Sequence, residues 1–315
     1  MTNVPIAGSP LSNIVTSAVF PSASTCTAQT SPAALNEPCS TTDANGNVTT
    51  YAYDNTTGFL ASVTPPKPTF SSNQPQTRYA YASAYALYKN SSGAIVQAAS
   101  PVTLLSSTSA CQTEAPSACP GTADDVKTTI AYQAGSASAA SNLLPISTTA
   151  GAGDGSLEAT SSQTFDQYGN VATTTGPLGS AQTTAYFWDP NRNQVGVIGP
   201  LPAGHTLYPA IQTTYGGDNQ PTLVAMGTTT SQTSMASFNS LEQEGLGYDS
   251  LGRLSQVAES ASGTTNSLVQ YAYDNANRLT CTAVRMNPPR PASWGRRVRR
   301  AQTASPFAPT TRPMS

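Results

Sequence analysis

The chain has 315 residues and a mass of 32.4 kDa, and only 10% of its residues are charged, against roughly a quarter in an average soluble protein. No run of 18 or more apolar residues occurs, which excludes a transmembrane helix, and scarce Glu, Lys, Leu and Arg argue against a fold of long helices. The net charge of −2 is a cancellation: residues 1–287 hold all 16 acids and 8 of the 14 bases, a net of −8, while residues 288–315 hold the other 6 bases and no acid, a net of +6.

In chain order, residues 1–45 come first. They are rich in Ser, Thr, Pro and Ala and lack Lys and Arg, so they show neither the basic start nor the continuous apolar core of a secretory signal. They are expected to be a disordered end. The expectation is that the chain leaves its cell by a signal-free route, or that Met1 lies inside a longer ancestral reading frame. Cys26 and Cys39 lie 13 apart, and Cys111 and Cys119 lie 8 apart, in Pro- and Ser-rich loops. These spacings suit two local disulfides, which favours an extracytoplasmic setting; the alternative is five reduced thiols. Cys281 is left over. With no Cys-x-x-Cys and a single histidine, no metal or other cofactor is expected.

From residue 46 to 287 one unit recurs. An aromatic-rich strand ends in Tyr-Asp, a short turn with Gly or Asn follows, and a second strand returns. The clear copies are Tyr51-Ala52-Tyr53-Asp54 with Gly58-Phe59-Leu60, Tyr248-Asp249-Ser250-Leu251-Gly252-Arg253-Leu254, and Tyr271-Ala272-Tyr273-Asp274 with Asn277-Arg278-Leu279. Weaker copies surround Asp166 and Gly169, Asp189, and Tyr215 to Gln220. Tyr79-Ala80-Tyr81 and Ile130-Ala131-Tyr132 read as strands whose turn is lost or expanded. The β-branched and aromatic residues of 48–53 favour a pleated surface, with Tyr51 and Tyr53 on one face. The aspartate can take backbone N–H bonds in the turn, and Gly58 or its equivalent tolerates positive φ. Each unit is a β-hairpin, and because one hairpin alone is marginal in water, many must stack into an antiparallel sheet.

Tyr-x-Tyr-Asp followed by Gly-Arg-Leu or Asn-Arg-Leu resembles the YD repeat of the Rhs family, which includes bacterial polymorphic toxins, insecticidal toxin shells and the animal teneurins. The resemblance covers roughly residues 46–287, with gaps. It implies a mainly β fold, an open and spiralling sheet of antiparallel hairpins that is part of a shell, with disordered ends. It also implies that the shell of intact relatives encases or delivers a C-terminal toxin or mediates cell-surface contact. Asp189-Pro190 is followed by Asn191-Arg192 and sits in mid-array, unlike the terminating motif of that family, so the chain resembles a truncated fragment. Residues expected to carry the repeat are Tyr53, Asp54, Gly58, Asp166, Gly169, Asp189, Tyr248, Asp249, Gly252, Arg253, Tyr273, Asp274 and Arg278.

The remaining motifs read more plainly. His205 is a solvated loop histidine rather than a base. Gly151-Ala152-Gly153-Asp154-Gly155 lacks the residues of a phosphate loop and reads as a flexible connection. Asp43-Ala44-Asn45-Gly46-Asn47 resembles the start of a calcium loop, yet Asn-Gly before Val48 is the stronger, hairpin signal. The spacing of Met235, Phe238 and Leu241 predicts a short helix packed on the sheet, with Glu242 and Glu244 as its solvated end. Residues 288–315, with Arg296-Arg297-Val298-Arg299-Arg300, read as a disordered tail from an out-of-frame translation; the alternative is a basic arm for nucleic acid or anionic lipid.

These observations give an expectation of a non-enzymatic structural repeat protein, secreted or on the cell surface, without catalytic, metal or cofactor-binding residues. Its expected partners are the rest of a larger shell or a toxin cargo. A carbohydrate-binding adhesin acting through the tyrosine-rich strands, with surface glycans as partner, is an alternative. A nucleic-acid binder acting through the basic tail is another, although nucleic acid is the less favoured partner.

Overall fold

The computed structural model of the protein describes residues 2–3, 14–22, 32–69, 73–112 and 117–286; Cys26 and the basic tail lie outside these residues. β1 (Thr2–Asn3) and β2 (Ile14–Val15) form a separate pair. The main ladder starts with β3 (Ser17–Val19), β4 (Ser40–Thr42), β5 (Val48–Tyr53), β6 (Leu60–Thr64) and β7 (Thr77–Ala84). A small hairpin, β8 (Leu87–Lys89) and β9 (Ile95–Gln97), then intervenes before β10 (Val102–Cys111). There follow β11 (Asp125–Tyr132), β12 (Pro145–Ala152), β13 (Glu158–Phe165), β14 (Val171–Thr175), β15 (Thr183–Trp188) and β16 (Gln194–Ile198). The last strands are β17 (Tyr208–Tyr215), β18 (Pro221–Thr229), β19 (Asn239–Tyr248), β20 (Leu254–Ala261), β21 (Thr264–Tyr273) and β22 (Leu279–Met286).

The chain divides into two compact units, Met1–Ala210 with Thr229–Ser237 and Ile211–Thr228 with Phe238–Ser315. In the first, β3 to β7 pair in succession, β7 pairs with β10 across the inserted hairpin, and β10 to β16 continue the ladder. In the second, β18 to β22 pair in succession. All of these pairings are antiparallel, and among the described residues neither unit's ladder pairs back to its own first strand, so the fold is an open sheet of hairpins. The sheet begins ahead of residue 46: β3 and β4 pair through Ser17↔Thr42 and Val19↔Ser40, where β-branched residues interrupt the Pro-rich segment.

The buried interior is thin. Its members include Ala34, Ala185, Ala210, Ala225 and Ala258, and the largest fully buried side chains are Ile198, Thr229 and Cys119. In β5 the half-buried face carries Thr49, Tyr51 and Tyr53 while Val48, Thr50 and Ala52 are exposed. With so little apolar area removed from water, at about 25 cal/mol per Å², the ladder hydrogen bonds and the turns must hold a larger share of the fold.

Two sequence expectations are corrected. Residues 235–238 form no helix, and Leu241 lies exposed in β19. The Met235 side chain instead covers Gly196, where an added Cβ would lie 3.1 Å from Met235 Cγ. The three-residue spacing arises from a turn followed by a strand, two local periods that happen to concatenate. The glycine-rich run after Gly151 is a tight turn between β12 and β13, closed by Ala152 N–H to Leu157 C=O (2.8 Å) and anchored by Gly153 N–H to Asp125 C=O (2.7 Å).

Candidate functional site

The feature that repeats is a five-residue turn with one set of bonds. The aspartate N–H donates to the carbonyl of residue i+4, and the N–H of residue i+3 donates back to the aspartate carbonyl. This holds at 43–47, 166–170, 189–193, 249–253 and 274–278, with donor–acceptor distances of 2.9–3.1 Å. Residue i+3 adopts positive φ: Gly46 (82°), Gly169 (84°), Arg192 (67°), Gly252 (77°) and Asn277 (63°). Such a turn followed by a left-handed residue is a common three-residue hairpin connection, and it matches the ladder shifts between Gly247 and Tyr248 and between Ala272 and Tyr273.

The carboxylate locks this geometry. At Asp249, Oδ1 accepts the N–H of Leu251 (2.9 Å) and Arg253 (3.0 Å), and Oδ2 accepts Arg253 Nε (2.7 Å). At Asp274 the partners are Ala276 (2.9 Å), Arg278 (2.9 Å) and Arg278 Nε (2.7 Å). At Asp43, Asp166 and Asp189 the side-chain donor is instead Nδ2 of Asn47, Asn170 or Asn193, at 2.8, 2.9 and 3.0 Å. Asp54 heads a turn one residue longer, with Gly58 at φ 75° and bonds from Thr56 and Thr57. Two further turns keep the backbone pattern without the carboxylate: Asn90 substitutes its amide oxygen, and Gly216 has no side chain at all.

The residue before the aspartate links neighbouring hairpins. Tyr273 Oη donates to the Leu254 carbonyl (2.9 Å), Tyr248 to Pro221 (2.9 Å) and Tyr53 to Pro38 (3.0 Å). Trp188 does the same with Nε1, to Val171 (2.7 Å). Tyr81 and Tyr132, whose turns are replaced by β8–β9 and by residues 133–144, keep the bond, to Leu60 (3.0 Å) and Leu105 (2.9 Å). Arg253 adds a second link: its Nη1 donates to Asn277 Oδ1 (2.7 Å) and the Asp274 carbonyl (3.3 Å), and its Cζ lies 4.6 Å from the Tyr273 ring centroid. Gln220 Nε2 likewise reaches the Gly252 carbonyl (2.9 Å).

Sequence reasoning found the aspartates and Arg253 but missed Asn47, Asn170 and Asn193 as the closing donors and the whole Asn90 turn. The available signal was the constant spacing of four from the acid to an Asn or Arg.

Two predictions follow from these bonds. Tyr273→Phe keeps the ring under Arg253 but removes the bond to Leu254, and is expected to lower stability by about 0.5–1.5 kcal/mol, read from the urea midpoint. The turn bonds also hold the carboxylates below their ordinary range: the side-chain bond from Arg253 at Asp249, the backbone bond from Arg278 at Asp274, and the side-chain bond from Asn47 at Asp43. At Asp166 and Asp189 desolvation opposes the shift, and the bonds from Asn170 and Asn193 outweigh it. A depressed folded-state pKa gives stability that is present above the unfolded value, about 3.9 for Asp, and lost as pH falls through the folded value. The urea midpoint is therefore expected to be flat from neutral pH to about 5 and to fall steeply below about 4, less so in Asp249→Asn/Asp274→Asn.

A second cluster is structural. Arg78 Nη2 bonds Asp125 Oδ1 at 2.8 Å, Arg78 Nε donates to Ser109 Oγ at 3.0 Å, and Gly121 N–H donates to Asp125 Oδ2 at 3.1 Å. Arg78 also lies over the Cys111–Cys119 disulfide, with Nη1 3.4 Å from Cys111 Sγ. Asp124 approaches the same two sulfurs, which the disulfide makes unfit as metal ligands. Cys39 is disulfide-bonded, and Cys281 is a free, exposed thiol. A cleft of about 600 Å³ lies between β8, residues 139–144 and the 165–169 turn, with Tyr88 and Tyr168 at its mouth, 53% and 58% exposed.

Residues 248–285 match the family model described as RHS Repeat. Comparison with curated proteins finds no significant match. Among solved structures, the chain is similar to "Crystal Structure of TcdB2-TccC3-Cdc42" at 11% identity and a TM-score of 0.39, over 79% of this chain and 12% of that one. It is also similar to "Crystal Structure of TcdB2-TccC3-TEV" (12% identity, TM-score 0.30, 79% and 14%), and to "Crystal Structure of TcdB2-TccC3" (13%, 0.25, 81% and 14%). The chain thus spans 12–14% of the length of these structures.

Proposed function

We propose, from the RHS Repeat match over residues 248–285, that the chain is a non-enzymatic structural segment of a larger Rhs-repeat shell that encases or delivers a toxin cargo or mediates cell-surface contact. The observation that supports this most is the Tyr–Asp node itself. The turn carboxylates are spent on backbone N–H groups, and Tyr53, Tyr81, Tyr132, Tyr248 and Tyr273 are spent on neighbouring carbonyls. Within each unit these residues tie one hairpin to the next, which supports a steric role. A secreted or surface setting is supported by the Cys111–Cys119 and Cys39 disulfides.

The test is to isolate the tagged chain from its native cells and measure particle mass and protease resistance. Particles several times larger than 32.4 kDa, holding a second polypeptide that is digested only after the shell is unfolded, are expected. A lone chain with no protected cargo would overturn the reading. A second reading, sugar binding, is favoured by the exposed Tyr88 and Tyr168 flanking the cleft with Asn142 and Gln133, rather than by the strand tyrosines. Saturable glycan-array binding lost in Tyr88→Ala would support it; unchanged binding in that variant would reject it.

A further inference from the structure

The cleft between β8, residues 139–144 and the 165–169 turn lies where the repeat is broken twice in succession. The turn that should follow Tyr81 is replaced by the β8–β9 hairpin, and the one that should follow Tyr132 by residues 133–144. The two replacements are fastened to each other: Leu87 N–H donates to the Ser141 carbonyl (3.0 Å) and Ser141 N–H to the Leu87 carbonyl (2.8 Å). Leu143 is buried at φ 60°, a conformation that a bulky side chain seldom takes and that persists only where its surroundings over-determine it. The buried Ser141 does this, since its Oγ donates to the Gln133 carbonyl and accepts the Leu143 N–H (3.1 Å). The segment so held brings Asn142 into the lining, where a Cβ added at Gly169 would lie 3.5 Å from Asn142 Nδ2.

The polar groups of the cleft are not engaged as those of the Tyr–Asp nodes are. Among the described residues, the side-chain amides of Gln133 and Asn142 and the hydroxyls of Tyr88 and Tyr168 make no hydrogen bond within the chain, and Lys89 makes no ion pair. Lys89 and Asp166 are the charged residues of the lining. Asp166 is already held by its own turn: Oδ1 accepts the N–H of Tyr168 (2.8 Å) and of Asn170 (2.9 Å), and Oδ2 accepts Asn170 Nδ2 (2.9 Å). The uncommitted charge is therefore the Lys89 ammonium, in a lining that also offers two amides and two aromatic rings.

We propose that this cleft binds a carboxylate-bearing pyranose, a uronic or sialic acid unit of an acidic glycan. The inference rests on the sugar-binding reading of the cleft and specifies the charge of the sugar. A pyranose has an apolar C–H face, which suits the rings of Tyr88 and Tyr168. Its neighbouring hydroxyls are each donor and acceptor, which suits the paired donor and acceptor of an Asn or Gln amide. Its carboxylate suits Lys89, because a charge-assisted hydrogen bond is roughly twice as strong as a neutral one. An amino sugar, being cationic, would face the ammonium instead.

The test uses the full chain and paired probes: oligosaccharides ending in glucuronic, galacturonic, mannuronic or sialic acid, each beside its methyl ester. The members of a pair share ring stereochemistry and differ in charge, and calorimetry at low salt gives both affinities. At least one acid is expected to bind about tenfold more tightly than its ester, with the ratio shrinking as salt is raised. Lys89→Gln should bring that ratio close to one, and Tyr88→Ala should weaken acid and ester alike. Lys67→Gln, exposed and outside the lining, should change neither. Equal affinities of acid and ester, or a preference that survives Lys89→Gln, would overturn the acidic-sugar assignment and leave the sugar reading standing. Failure of every acid and every ester to bind would overturn both.

Discussion

Arg78→Ala is expected to destabilise the first unit by about 3–5 kcal/mol. The substitution removes the cation from a pair whose acid, Asp125, is only 4% exposed. What remains for that carboxylate is the Gly121 N–H, too little for a buried charge cut off from water. The loss should spread, because Arg78 joins β7 to Ser109 on β10 and to the Cys111–Cys119 bridge. Adding Asp125→Asn removes the stranded charge and should recover more than half of the deficit. Urea midpoints at unchanged slope measure both variants. A single variant within about 1 kcal/mol of the parent would mean that water reaches Asp125 and the pair is a surface one.

Gly227→Ala should cost about 2–3 kcal/mol in the second unit. Gly227 pairs with Ser240 at a shift in the β18–β19 ladder, and an added Cβ would meet the Asn239 carbonyl oxygen. That atom belongs to backbone, so relief requires the two strands to part. Amide exchange should accelerate across β18 and β19. Gly217→Ala is the control, since nothing lies within 4 Å of a Cβ placed there; it should fall within about 0.5 kcal/mol of the parent. Equal effects of the two substitutions would show that backbone entropy, not the clash, governs.

The parts of this fold that could be read from sequence are those written in adjacent residues. Period-two aromatic runs mark strands such as β5 and β21, and Asp followed by a Gly or Asn marks the turns. The acid and the arginine that close the turns also stand out at 248–254 and 271–279. The bonds of Asn170 and Asn193 escaped because asparagine is expected in any turn, so its side chain carried no distinguishing signal. The Arg78–Asp125 pair escaped for another reason: 47 residues separate the partners, and only the ladder from β7 through β10 to β11 brings them together. The helix expected over residues 235–241 shows the opposite hazard, since three apolar residues at helical spacing lay across a turn and the start of β19.

The correspondence between the 249–253 and 274–278 turns has a hereditary consequence. An in-frame excision of residues 249–273 joins Tyr248 directly to Asp274. The junction is again Tyr-Asp, the turn is again closed by an arginine, and Tyr248 still reaches the Pro221 carbonyl. β22 would then lie where β20 lay, with Ala283 at the place of the buried Ala258. Loss or duplication of one such module leaves every remaining neighbour with a neighbour of the same kind, so the copy number can drift across generations while the local bonds do not.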